Sequence, residues 1–291
     1  MKLGRFNPAN IRVRGGGSAS GGGHFPGGGG GKIGCGTIVI AAIAYFAFGA
    51  DPMQTIGAIG EMQDGAPSQQ TAGVQGTEVC ETGPYALEAC NALSSLNETW
   101  QPLFRQANIP FQQPVLTLFS GSTRSGCGAA SSAMGPFYCP SDQGIYIDTA
   151  FYDTMERQLG AGGDFARYYV MAHEYGHHIQ NLTGVAGQIR SAQQSSPGRA
   201  NDLQVRMELQ ADCYAGVWAG LNRNLIEPGD MEEGMTAASA IGDDTLQRSS
   251  GQRINPESFT HGTSAQRMEW LNRGLQSGDV DQCDTFADLQ G

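Results

Sequence analysis

From residue 80 onward the apolar positions recur mostly with a helical period. Between 84 and 108, Leu87, Leu93, Leu96, Trp100, Leu103 and Phe104 line one face. The same spacing predicts helices over 151–158, from a capping Asp164 to about Asn181, and over 203–221, 228–247 and 264–275. Thr263 or Ser264 is placed to cap the last of these. Residues 195–199 read as a loop. The short run 114–119 reads as a strand, and 135–148 as a hairpin with turn chemistry at 140–144. The second strand of that hairpin alternates. Its residues Ile145 to Ile147 are a candidate edge for pairing with an extended substrate, with an ordinary core hairpin as the alternative. Strands among many helices, without a βαβ alternation, give an α+β class: mostly helical with a small sheet.

The N-terminal part has a different pattern. Residues 1–32 are rich in glycine and are expected to be disordered. Residues 33–50 run without a charge between Lys32 and Asp51, at the lower limit for spanning a bilayer. A single transmembrane helix is the expectation, against a cleaved signal peptide or a buried core helix. Residues 51–79 read as a linker and 80–291 as the main domain. Residues 1–50 hold five basic side chains and no acid, so the formal net charge of −11 leaves −16 for residues 51–291. The positive-inside rule then puts the N-terminus in the cytoplasm and the main domain in the periplasm or outside the cell. So acidic a domain is not expected to bind nucleic acid.

The chemistry lies in His173-Glu174-Tyr175-Gly176-His177, an H-E-x-x-H pentad that continues the apolar run 168–172. On a helix the two histidines share a face and can grip one metal ion, with the glutamate beside them to work on a bound water. Two histidines can meet in a helix without a metal, so the pentad needs company. Thirty-one residues past His177 stand Glu208 and Asp212, four apart on the next long helix. Glu208 is the expected third ligand, and Asp212 the acceptor that fixes a ligand histidine's tautomer. The reverse, Asp212 as ligand, stays open. This H-E-x-x-H then E-x-x-x-D order is that of gluzincin peptidases. The metzincin pattern is excluded by Gln180 and Thr183. One Zn2+ per chain is the expected cofactor, with Glu174 as general base and acid. A second electrophile is sought among His261, Tyr214 and His178, with His261 preferred. His178 points away around the helix and is expected at the surface or behind a ligand.

Seven cysteines are present. Cys35 lies in the apolar segment. Of the fifteen pairings open to the other six, short loops suggest Cys80 with Cys90 and Cys127 with Cys139, leaving Cys213 with Cys283. An even set agrees with an oxidising compartment.

The stretches HEYGHHIQNLTG, ELQADCYAGVWA, GPFYCPSDQGIYIDTAFY and SFTHGTSAQRMEWLNRGL, with the closing QCDTF, resemble the bacterial neutral zinc metallopeptidase family over most of residues 1–289. The resemblance implies a zincin-like fold, ligation by His173, His177 and Glu208, and catalysis by Glu174. The expected reaction is zinc-dependent hydrolysis of a peptide bond in a peptide or protein, at a membrane reached through residues 33–50. A zinc amidase acting on cell-wall peptide, and a silent zinc-binding interaction module, are the alternatives. Intact Glu174 speaks against the last.

Overall fold

The computed structural model describes residues 1–16 and 76–287. Among them are six strands: β1 (Arg12–Gly15), β2 (Val115–Phe119), β3 (Ser122–Ser125), β4 (Gly128–Ser131), β5 (Phe137–Cys139) and β6 (Gly144–Asp148). Four form a sheet in the order β1-β2-β6-β5, with β1, β2 and β6 parallel and β5 antiparallel at the edge. Strands β3 and β4 form a separate hairpin. The apolar run of β2 and β6 suits strands covered on both faces, and Leu116, Ile145 and Ile147 are fully buried.

The eight α-helices among the described residues are α1 (Pro84–Gln106), α2 (Thr149–Leu159), α3 (Asp164–Leu182), α4 (Val185–Ser195), α5 (Ala200–Leu221), α6 (Asp230–Ala240), α7 (Asp243–Ser249) and α8 (Ser264–Ser277). The α+β class is as expected. Helix α3 lies at the centre, against α1, α5 and α6. Helix α8 lies along α5 so closely that a Cβ on Gly216 would sit 2.1 Å from the Leu271 carbonyl oxygen, and one on Gly274 2.0 Å from that of Cys213. The three disulfides are Cys80–Cys90, Cys127–Cys139 and Cys213–Cys283. The last closes 70 residues and ties the tail to α5, worth about 4 kcal/mol on chain-entropy grounds.

Several expectations need correction. Asp164 does not cap α3. It is the helix's first residue, and the Glu233 carboxylate takes the Phe165 N–H in its place. The span 228–247 is two helices, because Gly242 lies against the backbone of Ser264, with no room for a side chain. Helix α4 was not predicted, since Ile189 and Gln193 are its only buried side chains and give no period. Ile145 to Ile147 are not an edge. They lie in β6, between β2 and β5, and the edge is β5.

The largest correction concerns residues 1–16, which are ordered. Averaging over the glycine tract hid Met1, Phe6, Ile11 and Val13, all of which are buried in the main core. Asn97 donates to the Asn10 carbonyl at 2.7 Å, and Arg14 to Thr117 and Tyr146 at 2.9 and 2.8 Å. The Met1 ammonium binds Asp230 at 2.7 Å and Asp164 at 3.1 Å. The expected transmembrane segment 33–50 and most of the expected linker lie outside the described residues, and no helix among the described ones is long and apolar enough to cross a membrane. Because β1 pairs with β2, and the Gly76 N–H reaches the Val13 carbonyl at 3.4 Å, residues 1–16 and 76–287 belong to one folded unit.

Two outcomes follow. Val13→Asp, a charge in the buried face of β1, is expected to cost about 3 kcal/mol, read as a lowered Tm. In a Cys35→Ser background, cysteines placed singly at exposed Gly4 and Arg105 are expected to label from the same side of sealed membranes. Labelling from opposite sides would mean that β1 does not pair in the cell.

Candidate metal centre

Two helices build the centre, and their contact explains how. Gly176 stands between His173 and His177 on α3. A Cβ there would lie 2.9 Å from the Cα of Ala211, which stands between Glu208 and Asp212 on α5. The helices therefore touch where the side chains of both pairs emerge. His173 Nε2 lies 3.1 Å and His177 Nε2 3.4 Å from Glu208 Oε2. One ligand atom from each of the three residues falls within 4.8 Å of the others. Two imidazoles and one carboxylate are the donor set of a catalytic zinc site with one position left for solvent or substrate.

The outer hydrogen bonds fit that use. His173 Nδ1 faces Asp212 Oδ1 at 2.8 Å, so its proton belongs on Nδ1 and its Nε2 lone pair faces Glu208. Asp212 also accepts from the Tyr169 hydroxyl at 2.6 Å and twice from Arg267 at 2.9 Å. His177 Nδ1 faces Gln180 Oε1 at 2.9 Å. The Gln180 amide nitrogen donates to the Met207 carbonyl at 2.8 Å, an oxygen that only accepts, which fixes the amide's orientation and hence the histidine's proton. Gln204 donates to Glu208 Oε1 at 2.8 Å, leaving Oε2 for the centre. The sequence used Gln180 only to exclude a pattern. Its spacing from His177, one helical turn, was the available signal for this role.

Charge follows from burial and neighbours. Burial alone would depress the His173 imidazolium, but the charge and hydrogen bond of Asp212, with Glu208 beside it, raise it to about 9. His177 is also raised against its burial, by Glu208. Glu208 is driven well below the usual carboxylate range although burial opposes this, because both histidines hold its charged form. Glu174, buried with fewer compensating partners, is pushed up.

The electrophile candidates separate cleanly. His178 is fully buried, not at the surface. Its Nε2–H donates to the Gln112 carbonyl at 2.7 Å and its Nδ1 accepts from Tyr138 at 3.0 Å, so both nitrogens are used, and burial lowers it to about 4. Tyr214 packs edge-to-face on Trp100. His261 remains. Its loop rests on α5 beside Glu208, where Gly262 with φ +86° faces Val205 and Leu209. Asp243 organises that loop, accepting the backbone N–H groups of Thr260, His261 and Gly262 at 2.7, 2.6 and 3.0 Å, and facing His261 Nδ1 at 3.2 Å. His261 Nε2 is one of two buried side-chain polar atoms among the described residues without a hydrogen-bond partner. The sequence did not single out Asp243.

This donor set is of the kind that metal-dependent hydrolases use, and the comparisons agree in class. The family described as "Putative neutral zinc metallopeptidase" matches residues 4–286, and the chain belongs to it. Among relatives, "Uncharacterized protein YpfJ" of Escherichia coli K12 is 52% identical over 197 residues, which is 67% of this chain and 69% of that one. "Uncharacterized protein Rv2575" of Mycobacterium tuberculosis H37Rv is 44% identical over 226 residues, 72% and 74% of the two chains. No solved structure matches.

Metal binding at this centre must displace the proton that His173 holds below about pH 9. Zinc affinity is therefore expected to rise between pH 6 and 8.5, by about tenfold per unit for each proton released. Calorimetry in buffers of different ionisation enthalpy checks the release. A pH-independent affinity with no proton release would contradict this arrangement.

Proposed function

We propose that the protein is a zinc-dependent peptidase, with His173, His177 and Glu208 holding the metal and Glu174 acting on the attacking water. The observation that carries this is the convergence of those three donors beside a buried, upward-shifted Glu174. Zinc bound there supplies Lewis acidity, polarising the scissile carbonyl and acidifying a water. Glu174 takes the water's proton and passes it to the leaving amine, and its raised pKa suits both halves of that transfer. His261, positioned by Asp243, presents Nε2 to the developing oxyanion. A histidine N–H at that place is the kind of donor the oxyanion needs. Asp212 keeps the His173 proton on Nδ1.

A zincin-like arrangement is part of the same reading. Edge strand β5 runs antiparallel to the sheet and is fixed to α3 by Tyr138, whose hydroxyl donates to His178 and accepts from Asn181 at 3.1 Å. An extended substrate adding to β5 would lie beside the metal helix, so β5 takes the role first assigned to Ile145 to Ile147. Three disulfides support an oxidising compartment for the domain. Residues 1–16 share it, and any membrane attachment through residues 33–50 leaves both of their flanks on one side.

Purified full-length protein tests the reading by its zinc content and by its cleavage of an unfolded protein. Glu174→Gln should keep one zinc and lose cleavage by at least about a hundredfold. Glu208→Ala should lose zinc. His261→Ala should keep zinc and lose about a hundred- to a thousandfold in kcat. Full zinc with Glu208→Ala, or full turnover with Glu174→Gln, would refute the assignment.

A further inference from the structure

The mechanism above leaves one buried cation without a task. Arg267, in the second turn of α8, is 1% exposed. Its Nε reaches Asp212 Oδ2 and its Nη2 reaches Asp212 Oδ1, both at 2.9 Å. The same Nη2 lies 3.1 Å from the Tyr169 hydroxyl and 3.3 Å from His173 Nδ1. Its remaining end faces the Ile241 carbonyl at 3.4 Å.

This geometry does something a single carboxylate cannot. A lone Asp212 could turn about its Cβ–Cγ bond and present either oxygen, or neither, to His173. The two-pronged guanidinium fixes the carboxylate plane. The Tyr169 hydroxyl, accepting from Arg267, must then send its own proton to Oδ1, so every proton around that oxygen has an assigned place. Arg267 also offsets the charge of Asp212, which would otherwise stand unpaired at 0% exposure. A lysine could supply the charge but not the plane. Two residues before the cap of α8 stands His261, so the helix that clamps the ligand's partner also carries the loop of the second electrophile.

We propose that Arg267 is a positioning residue of the metal centre. By clamping Asp212, with Tyr169 completing the clamp, it sets the orientation and proton placement of His173, and through them the metal affinity. The proposal rests on the zinc reading of the centre.

The test measures zinc affinity of the full-length protein by chelator competition, and the visible spectrum of the cobalt-substituted protein. The set is wild type, Arg267→Met, Arg267→Lys, Tyr169→Phe and Leu271→Ala. Leu271 is buried one turn further along the same helix and carries no polar side-chain atom, so its variant controls for loss of stability. Arg267→Met is expected to weaken zinc binding about ten- to a hundredfold and to change the cobalt bands. Arg267→Lys should recover part of the affinity. Tyr169→Phe, which keeps the ring's packing, should weaken binding by a smaller factor, and it gives a reading even if Arg267→Met fails to fold. Leu271→Ala should bind as wild type. Wild-type affinity and spectrum in both Arg267→Lys and Tyr169→Phe, or an equal loss in Leu271→Ala, would overturn the role of Arg267 while leaving the zinc site standing. Wild type that binds no zinc would overturn the reading beneath it.

Discussion

Helices α3 and α5 approach each other to the distance that a glycine permits, and the centre depends on that approach. Gly176 and Ala211 sit at the contact, each within the turn that separates two functional side chains four residues apart. A methyl group at position 176 has no space to occupy and would wedge the helices apart. Close-packed interiors do not absorb such a change locally. The same device recurs on the other face of α5, where Gly216 and Gly274 bring α8 into backbone contact. Three helices are thus held at spacings set by missing side chains. Short side chains such as Asp212 can then reach across two of those interfaces.

The buried charges also form one account. Glu174, Glu208, Asp212 and Asp243 are all under a tenth exposed, and Arg267 is the single buried guanidinium facing them. Arg267 answers Asp212, and the backbone N–H groups of Thr260, His261 and Gly262 answer Asp243. Glu208 and Glu174 are left with His173 and His177, which are neutral when they offer lone pairs to a metal. A divalent cation held there would balance that pair. Buried carboxylates without such compensation would be costly and would take up protons instead.

Much of this was legible in the sequence, for physical reasons. The His173 to His177 and Glu208 to Asp212 spacings are one helical turn each, so membership of a helix was enough to place them on a common face. The disulfides paired as the short loops suggested. What could not be read depended on contacts between distant segments. Arg267 and Asp243 carry no local pattern, and their partners lie 55 and 18 residues away. Strand β1 was concealed because its four residues adjoin a glycine tract and pair across about a hundred positions. The break at Gly242 is imposed by Ser264 rather than by the residues around it.

The distance between β1 and its partner bears on the order in which the fold is assembled. Arg12 pairs with Val115, so during synthesis β1 must wait for the whole of α1 to be made before it can pair with β2. Contacts that far apart in sequence form late, after nearer ones have reduced the freedom of the chain between them. The cost of closing so long a loop grows only slowly with its length, by about 0.6 kcal/mol per doubling. The meeting of the two segments cannot be spared, because without residues 1–16 the sheet lacks a strand and the core lacks Met1, Phe6, Ile11 and Val13.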